Sequence, residues 1–145
     1  MLALLLAVAL SAVPKHAAPL NAPSIFLWPA QGTITTPFIP GGHDGIDIGI
    51  LRSLDVRAAA RGRVLLVGEP AGFEGYGRVV LVDIGGGYST LYAHLARYIV
   101  RPGQIVEPGQ RLGVAGCTGD CSGTHLHFEL RLHGTAVDPR RIPFE

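Results

Sequence analysis

The sequence is poor in charge, and the charge it has is balanced. Charged residues make up 16% of the 145 residues, and the formal net charge is +1. That composition excludes a disordered chain held open by self-repulsion. No block of basic residues occurs, which argues against a nucleic-acid binder that gains affinity by releasing counterions. Of the 12 basic residues only Lys15 is a lysine. Cysteine occurs only as Cys117 and Cys121, so a structural zinc site of four thiolates is impossible. Sustained periodicity of about 3.6 residues is missing. With 20 Gly and 11 Pro breaking the chain, a helical bundle is excluded as well.

The length allows one domain, large enough to bury a core without staples. Met1 to Val13 is uncharged and almost wholly apolar. It is short of the roughly 20 apolar residues that cross a bilayer and fits the apolar region of a secretory signal, so an exported protein with no stable membrane span is expected. Residues 1–20 are therefore set apart from a folded domain over 21–145, with Pro14–Pro23 reading as linker.

From Ser24 onward, short β-prone runs alternate with glycines. These are Arg63–Val67, Arg78–Ile84, Tyr88–Leu95, Arg111–Ala115 and His125–Leu132. Gly85-Gly86-Gly87 marks a hairpin between the second and third. The expected fold is all-β and mainly antiparallel, a compact two-sheet or open-barrel domain. Arg101-Pro102-Gly103-Gln104 and Glu107-Pro108-Gly109-Gln110 echo each other and read as paired β-turns. A biotinyl or lipoyl carrier domain has a related turn, but it needs a lysine at its tip, and none follows Lys15. The cysteine pair, in GCTGDCSG, can close a small disulfide loop in an exported protein. Two free thiols or half of a metal site fit the spacing too.

Three histidine patterns carry chemistry. In His43-Asp44-Gly45-Ile46-Asp47 an imidazole and a carboxylate lie four residues apart across a glycine. They can converge on one ion, although a solvated turn fits the same pattern. In His125-Leu126-His127, strand alternation puts both imidazoles on one face, where burial without partners is costly. In Tyr92-Ala93-His94-Leu95 the same alternation puts Tyr92 and His94 together. His43, Asp47 and His127 supply two nitrogens and a carboxylate oxygen, a set that suits four-coordinate zinc with one place left to water. His94 and His125 remain as acid–base groups beside it. Metal-assisted hydrolysis is the chemistry this combination predicts. Glu129 shares a strand face with His127 and either orients an imidazole or packs beside the groove. His16 and His133 read as solvated, and Trp28 as core.

The segments HDGID, YAHL and GTHLHFE, in that order, resemble the M23 zinc metallopeptidases of the lysostaphin and LytM type. Trp28-Pro29 with Gly32, the run Gly75-Tyr76-Gly77-Arg78-Val79-Val80, the stretch Gly109-Gln110 to Gly119, and Asp138-Pro139 are similar to the family's remaining landmarks. The resemblance spans Trp28 to Pro139. It implies a compact antiparallel β fold with one zinc ion in a groove between loops. His43, Asp47 and His127 match the family's metal ligands, and His94 and His125 match its two catalytic histidines. The implied activity is hydrolysis of peptide bonds in peptidoglycan stems or cross-bridges by an exported enzyme. A monomer is expected, and an open groove as well, because the segment upstream is short where family members are often covered by a longer one.

Departures from the family pattern are few. Ile84 follows Asp83 where a histidine often stands, Thr124 replaces a common proline, and Cys117 and Cys121 replace loop serines. The last departure favours a disulfide stiffening the approach to His125. A non-catalytic regulator of wall amidases, as some relatives are, is the alternative. A degenerate member of that kind should lack one of His43, Asp47 or His127, and this chain lacks none.

Overall fold

The computed structural model describes residues 25–142. The apolar segment 1–20, the linker Pro14–Pro23 and His16 lie outside the described residues. Ten strands follow in chain order: β1 Thr33–Thr36, β2 Ile46–Gly49, β3 Asp55–Arg57, β4 Gly62–Gly68, β5 Arg78–Gly85, β6 Tyr88–Tyr98, β7 Ile105–Val106, β8 Arg111–Ala115, β9 Leu126–Leu132 and β10 Thr135–Val137. A short 3₁₀ turn, Pro139–Arg141, closes the described chain. Every strand pairing is antiparallel. The sheet is open: its main path runs β1-β2-β9-β6-β5-β4-β7, with β10 beside β9 and β3 beside β8. Among the described residues no helix is long and apolar enough to cross a membrane.

Alternation along the central strands sorts side chains into two layers. Ile46, Ile48, Val80, Val82, Tyr92, Leu126, Phe128 and Leu130 form the main core with Val64, Leu95 and Leu112. Burying each such Leu, Ile or Phe contributes about 1.5–3 kcal/mol, so this layer fixes which way β9 and β2 face. The opposite face carries a smaller cluster of Val79, Leu91 and Ala93, flanked by Leu66, Phe73, Tyr76 and Leu81. Residues of β9 between the core positions, His127 and Glu129, therefore point to that second face. The core aromatics are Tyr92 and Phe128, with ring centroids 5.3 Å apart. Trp28 departs from the expectation of a core residue: it is 43% exposed, because it precedes β1 at the margin of the sheet.

Strand β6 forks. Its first half, Tyr88–Ala93, pairs with β9, and its second half, Leu95–Tyr98, pairs with β8. His94 sits at the fork with φ +59°. There Ala93 and His94 together oppose Val79, between the pairs Val80↔Tyr92 and Arg78↔Leu95. An extra residue of this kind is a β-bulge, which re-aims a side chain. It overturns the expected sharing of a face by Tyr92 and His94. Tyr92 lies in the main core, where its hydroxyl accepts the Ala59 N–H at 2.8 Å, while His94 joins the second face. The left-handed backbone at a non-glycine residue is costly, and its product is the re-aimed imidazole.

The two Pro-Gly echoes are matching β-turns. The Gln104 N–H donates to Arg101 O at 3.1 Å and the Gln110 N–H to Glu107 O at 3.0 Å. Each glutamine side chain also accepts the first residue's N–H.

Candidate active site

The site grows from one row across the sheet. Asp47 on β2 stands opposite His127 on β9, and His127 stands opposite Ala93 on β6. Directly opposed residues share a face at close range, so the carboxylate and the imidazole meet without any loop to position them. Gly45 precedes β2 where its backbone crowds the Phe128 carbonyl, and a Cβ there would collide with it. This close approach explains the glycine between His43 and Asp47. His43 is brought in by a tight turn whose N–H donates to Ile39 O at 2.8 Å. His125 bridges to Gly116 just before β9, and Leu126, wholly buried in the main core, fixes the alternation that turns both flanking histidines toward the groove. The bulge delivers His94.

All five predicted site residues converge. His43, Asp47 and His127 each offer a ligand atom, all within 4.8 Å of one another. Asp47 Oδ1 lies 2.8 Å from His127 Nδ1, 3.3 Å from His43 Nε2 and 3.6 Å from His125 Nε2. The rings of His94 and His125 are 4.8 Å apart, and those of His94 and His127 5.9 Å.

Each imidazole is held by its far nitrogen. Nδ1 of His43 bonds the Pro37 carbonyl at 2.8 Å, Nδ1 of His94 the Thr118 carbonyl at 2.7 Å, and Nδ1 of His125 the Gly123 carbonyl at 2.7 Å. For His127 the far nitrogen is Nε2, 2.9 Å from Glu129 Oε1. A carbonyl or carboxylate accepts only from an N–H, so these partners assign the protons to the far nitrogens. The inward nitrogens of His43, His94 and His125 then present lone pairs, whereas His127 Nδ1, 2.8 Å from Asp47 Oδ1, holds a proton against that carboxylate until a cation replaces it. Lone pairs of His43 Nε2 and Asp47 Oδ1 facing each other repel unless a proton or a cation lies between them. That is the donor chemistry of a metal site, and an N, O, N set fits zinc.

Glu129 is completely buried beneath His127. It accepts the Tyr76 hydroxyl at 2.6 Å and Arg131 Nε–H at 2.7 Å, while Arg131 also lies over the Phe73 ring, 5.3 Å from its centroid. Burial opposes ionisation of Glu129, but His127, Tyr76 and Arg131 outweigh it and hold the carboxyl below its ordinary value. Burial likewise opposes ionised Asp47; the hydrogen bond from His127 and the neighbouring imidazoles overcome it and bring the pKa to about 2. Burial disfavours a charged His127, yet bonds to Asp47 and Glu129 raise it to about 9 in the metal-free protein. His94 moves the other way. Burial lowers its pKa, the Thr118 contact works against that, and His125 and His127 add to the lowering. Burial and Glu129 together push the Tyr76 phenol up.

A groove of about 430 Å³ opens over these groups, walled also by Asp44, Glu74, Gly75, Asp120, Cys121 and Ser122. Cys117 and Cys121 form a disulfide, with Cα atoms 5.3 Å apart, and Cys121 borders the groove. Sequence reasoning left Tyr76 without a role, although it lies in the Gly-Tyr-Gly run. The carbonyls of Pro37, Thr118 and Gly123 left no signal, because backbone acceptors have no side-chain signature. His133 is exposed and far from this cluster, at the β9–β10 turn.

Residues 41–139 match the model of peptidase family M23. The chain is 38% identical over 133 residues to the lipoprotein YgeR of Escherichia coli (strain K12), covering 90% of this chain and 52% of that protein. It is 37% identical over 120 residues to the murein hydrolase activator NlpD of the same organism, covering 81% of this chain and 31% of the other. A zinc-containing peptidase from Vibrio cholerae superposes with a TM-score of 0.71 at 28% identity, over 83% of this chain and 40% of that one. The chain thus spans about half the length of YgeR and a third of NlpD. A family match over most of the folded strands, carried by relatives above a third identical, leaves one assignment: the chain belongs to peptidase family M23.

Proposed function

We propose that this chain is a zinc-dependent endopeptidase that hydrolyses peptide bonds in bacterial peptidoglycan, with residues 21–145 as the peptidase domain of an exported, envelope-located protein. One observation carries the reading: four imidazoles and a carboxylate converge, each imidazole with its far nitrogen bonded and its near nitrogen facing the groove. The family match, the zinc-containing structural neighbour and the murein-related relative support it.

His43 Nε2, Asp47 Oδ1 and His127 Nδ1 would hold the ion. Zinc, when bound, polarises the scissile carbonyl and makes water acidic enough to lose a proton near neutral pH. Everything else falls to the chain. One of His94 and His125, with Nε2 left as the acceptor by the carbonyl at Nδ1, takes the proton released by the attacking water and passes it to the departing amine, while the other ring lies beside the developing oxyanion. Thr118 and Gly123 hold the two rings so that Nε2, not Nδ1, faces the substrate. Glu129 keeps His127 turned with Nδ1 inward. The test is digestion of purified peptidoglycan with and without a chelator, followed by mass spectrometry of released fragments. New amino termini that vanish on chelation and return with zinc are expected; their absence on every wall chemotype would refute the reading.

The relative named as a murein hydrolase activator favours a second reading, a regulator of wall amidases that cleaves nothing itself. The intact His43, Asp47 and His127 set weighs against it. An activator would come out metal-free, and it would stimulate an added amidase equally well after His127→Ala.

A further inference from the structure

The two histidines that flank the candidate metal site are held by the same loop but by different means. Thr118, which orients His94, is anchored independently of any sulfur. Its hydroxyl donates to Leu95 O at 2.8 Å and accepts the Arg78 N–H at 3.0 Å. Its neighbours pack backbone to backbone: Gly77, at φ +64°, has no room for a Cβ against Thr118, and the Asp120 N–H donates to Gly75 O at 2.8 Å. Gly123, which orients His125, has no such support. Among the described residues no backbone hydrogen bond ties 121–124 to the rest of the chain, and residues 122–124 are exposed. Backbone ties stop at its two ends, Asp120 to Gly75 and His125 to Gly116, and the link made from within the segment is the bond from Cys121 to Cys117. Cys121 Sγ lies 3.0 Å from the Gly123 oxygen and 3.6 Å from His125 Nδ1, so the bridge lies against the same carbonyl and ring that it would hold.

We infer that the Cys117–Cys121 disulfide is a positioning device for His125 alone: it holds the Gly123 carbonyl that fixes the His125 tautomer and ring direction, and leaves His94 and the metal ligands untouched. The consequence for rate rests on the enzymatic reading above; the consequence for His125 does not. Without the bridge, residues 121–124 gain freedom, the Nδ1–H···O bond at His125 opens, and Nε2 is no longer held toward the groove. A misplacement of this order costs about 100-fold in a chemical step while binding is little changed.

The experiment uses the zinc-loaded full chain carrying C117S and C121S together, with ¹⁵N-labelled histidine. Expected are loss of the slowly exchanging His125 Nδ1–H signal, retention of the His94 signal, unchanged zinc content, and a kcat about 10- to 100-fold lower with KM nearly constant. Adding His125→Ala to this variant should cost far less than it does in the parent chain, because the two changes act on one group. Adding His94→Ala should cost its full amount. The parent chain treated with a phosphine provides the second arm. The S–S bond breaks to two thiols while the phosphine is oxidised to its oxide with oxygen from water, and reoxidation should restore both signal and rate. An intact His125 signal in the bridge-free protein overturns the inference, as does equal loss of the His94 signal or loss of zinc. If the parent chain cleaves no peptide, the enzymatic reading fails by itself, and the two imidazole signals still decide the bridge's role.

Discussion

Asp47 and His127 face each other across the β2–β9 ladder, Oδ1 to Nδ1 at 2.8 Å, although 80 residues separate them in the chain. Neither is placed by a loop. The register that pairs Ile46 with Phe128 and Ile48 with Leu126 is the register that seats the main core. A slip of one residue would turn every side chain of the strand to the wrong face, so the hydrophobic layer beneath the site and the polar pair above it are set by the same alignment. His43, His94 and His125 are then added at a turn, a bulge and a strand entrance, where single residues can be aimed.

His127→Ala should abolish zinc binding and peptide cleavage together, because the change removes a ligand from the middle of the row. It also leaves Glu129 buried beside a void. Breaking a buried charged pair on one side costs about 3–5 kcal/mol, discounted here because Arg131 and Tyr76 still hold the carboxylate. Metal analysis and thermal unfolding of the same preparation check both effects. A variant that kept one zinc per chain would exclude His127 as a ligand.

Glu129→Gln tests the residue beneath the ligand. Glutamine keeps an oxygen for His127 Nε2–H but removes the charge that faces Arg131. Zinc affinity should fall about 10- to 100-fold, the usual cost of losing a partner behind a ligating histidine. Tyr76→Phe, which deletes one hydrogen bond to the same carboxylate, should fall in the same direction by less. Competition against a chromogenic chelator reads both; equal affinity in all three proteins would leave Glu129 with packing alone.

His125→Ala should separate binding from chemistry. Its Nε2 stands 3.6 Å from Asp47 Oδ1, farther than either His43 or His127. Zinc content should stay at one per chain while kcat drops about 100- to 10,000-fold. A metal-free His125→Ala protein would mean that the two histidines of the H-x-H motif have exchanged roles.

Much of this was legible in the sequence, and the reasons differ by element. The long strands β5 and β6 declared themselves through Arg78–Ile84 and Tyr88–Leu95 flanking three glycines, because both runs are rich in β-branched and aromatic residues and the glycines between them mark a tight turn. His125 and His127 were legible as a same-face pair, since Leu126 between them is apolar. Strands β2, β3 and β7 span only two to four residues, too few for any alternation to stand out, so Asp47 read as part of a turn although it lies in β2. The bulge at His94 was illegible because its cause is tertiary: β6 must leave β9 and join β8, and no local pattern in Tyr-Ala-His-Leu records that. Trp28 read as core on its type alone, whereas its exposure depends on where the chain enters β1.

The last prediction concerns pH and follows from the sign of two shifts. In the metal-free protein His127 is raised from 6.5 to about 9, so its contribution to stability is complete below pH 6.5 and is lost as pH rises through about 9. Asp47 is lowered from 3.8 to about 2, so its contribution is present above pH 3.8 and disappears as pH falls through about 2. Metal-free protein should therefore be most stable between about pH 4 and 6.5 as far as this pair is concerned. A metal at Nδ1 displaces the proton that His127 holds there, so zinc uptake at pH 7 should release about one proton per ion and tighten as pH rises toward 9. Once the ion is bound, that proton is gone, and the alkaline loss of stability should vanish. Tm measured from pH 6 to 9.5 with and without zinc should show the metal-free curve falling while the loaded one stays level. Parallel curves would place the ion elsewhere than on His127.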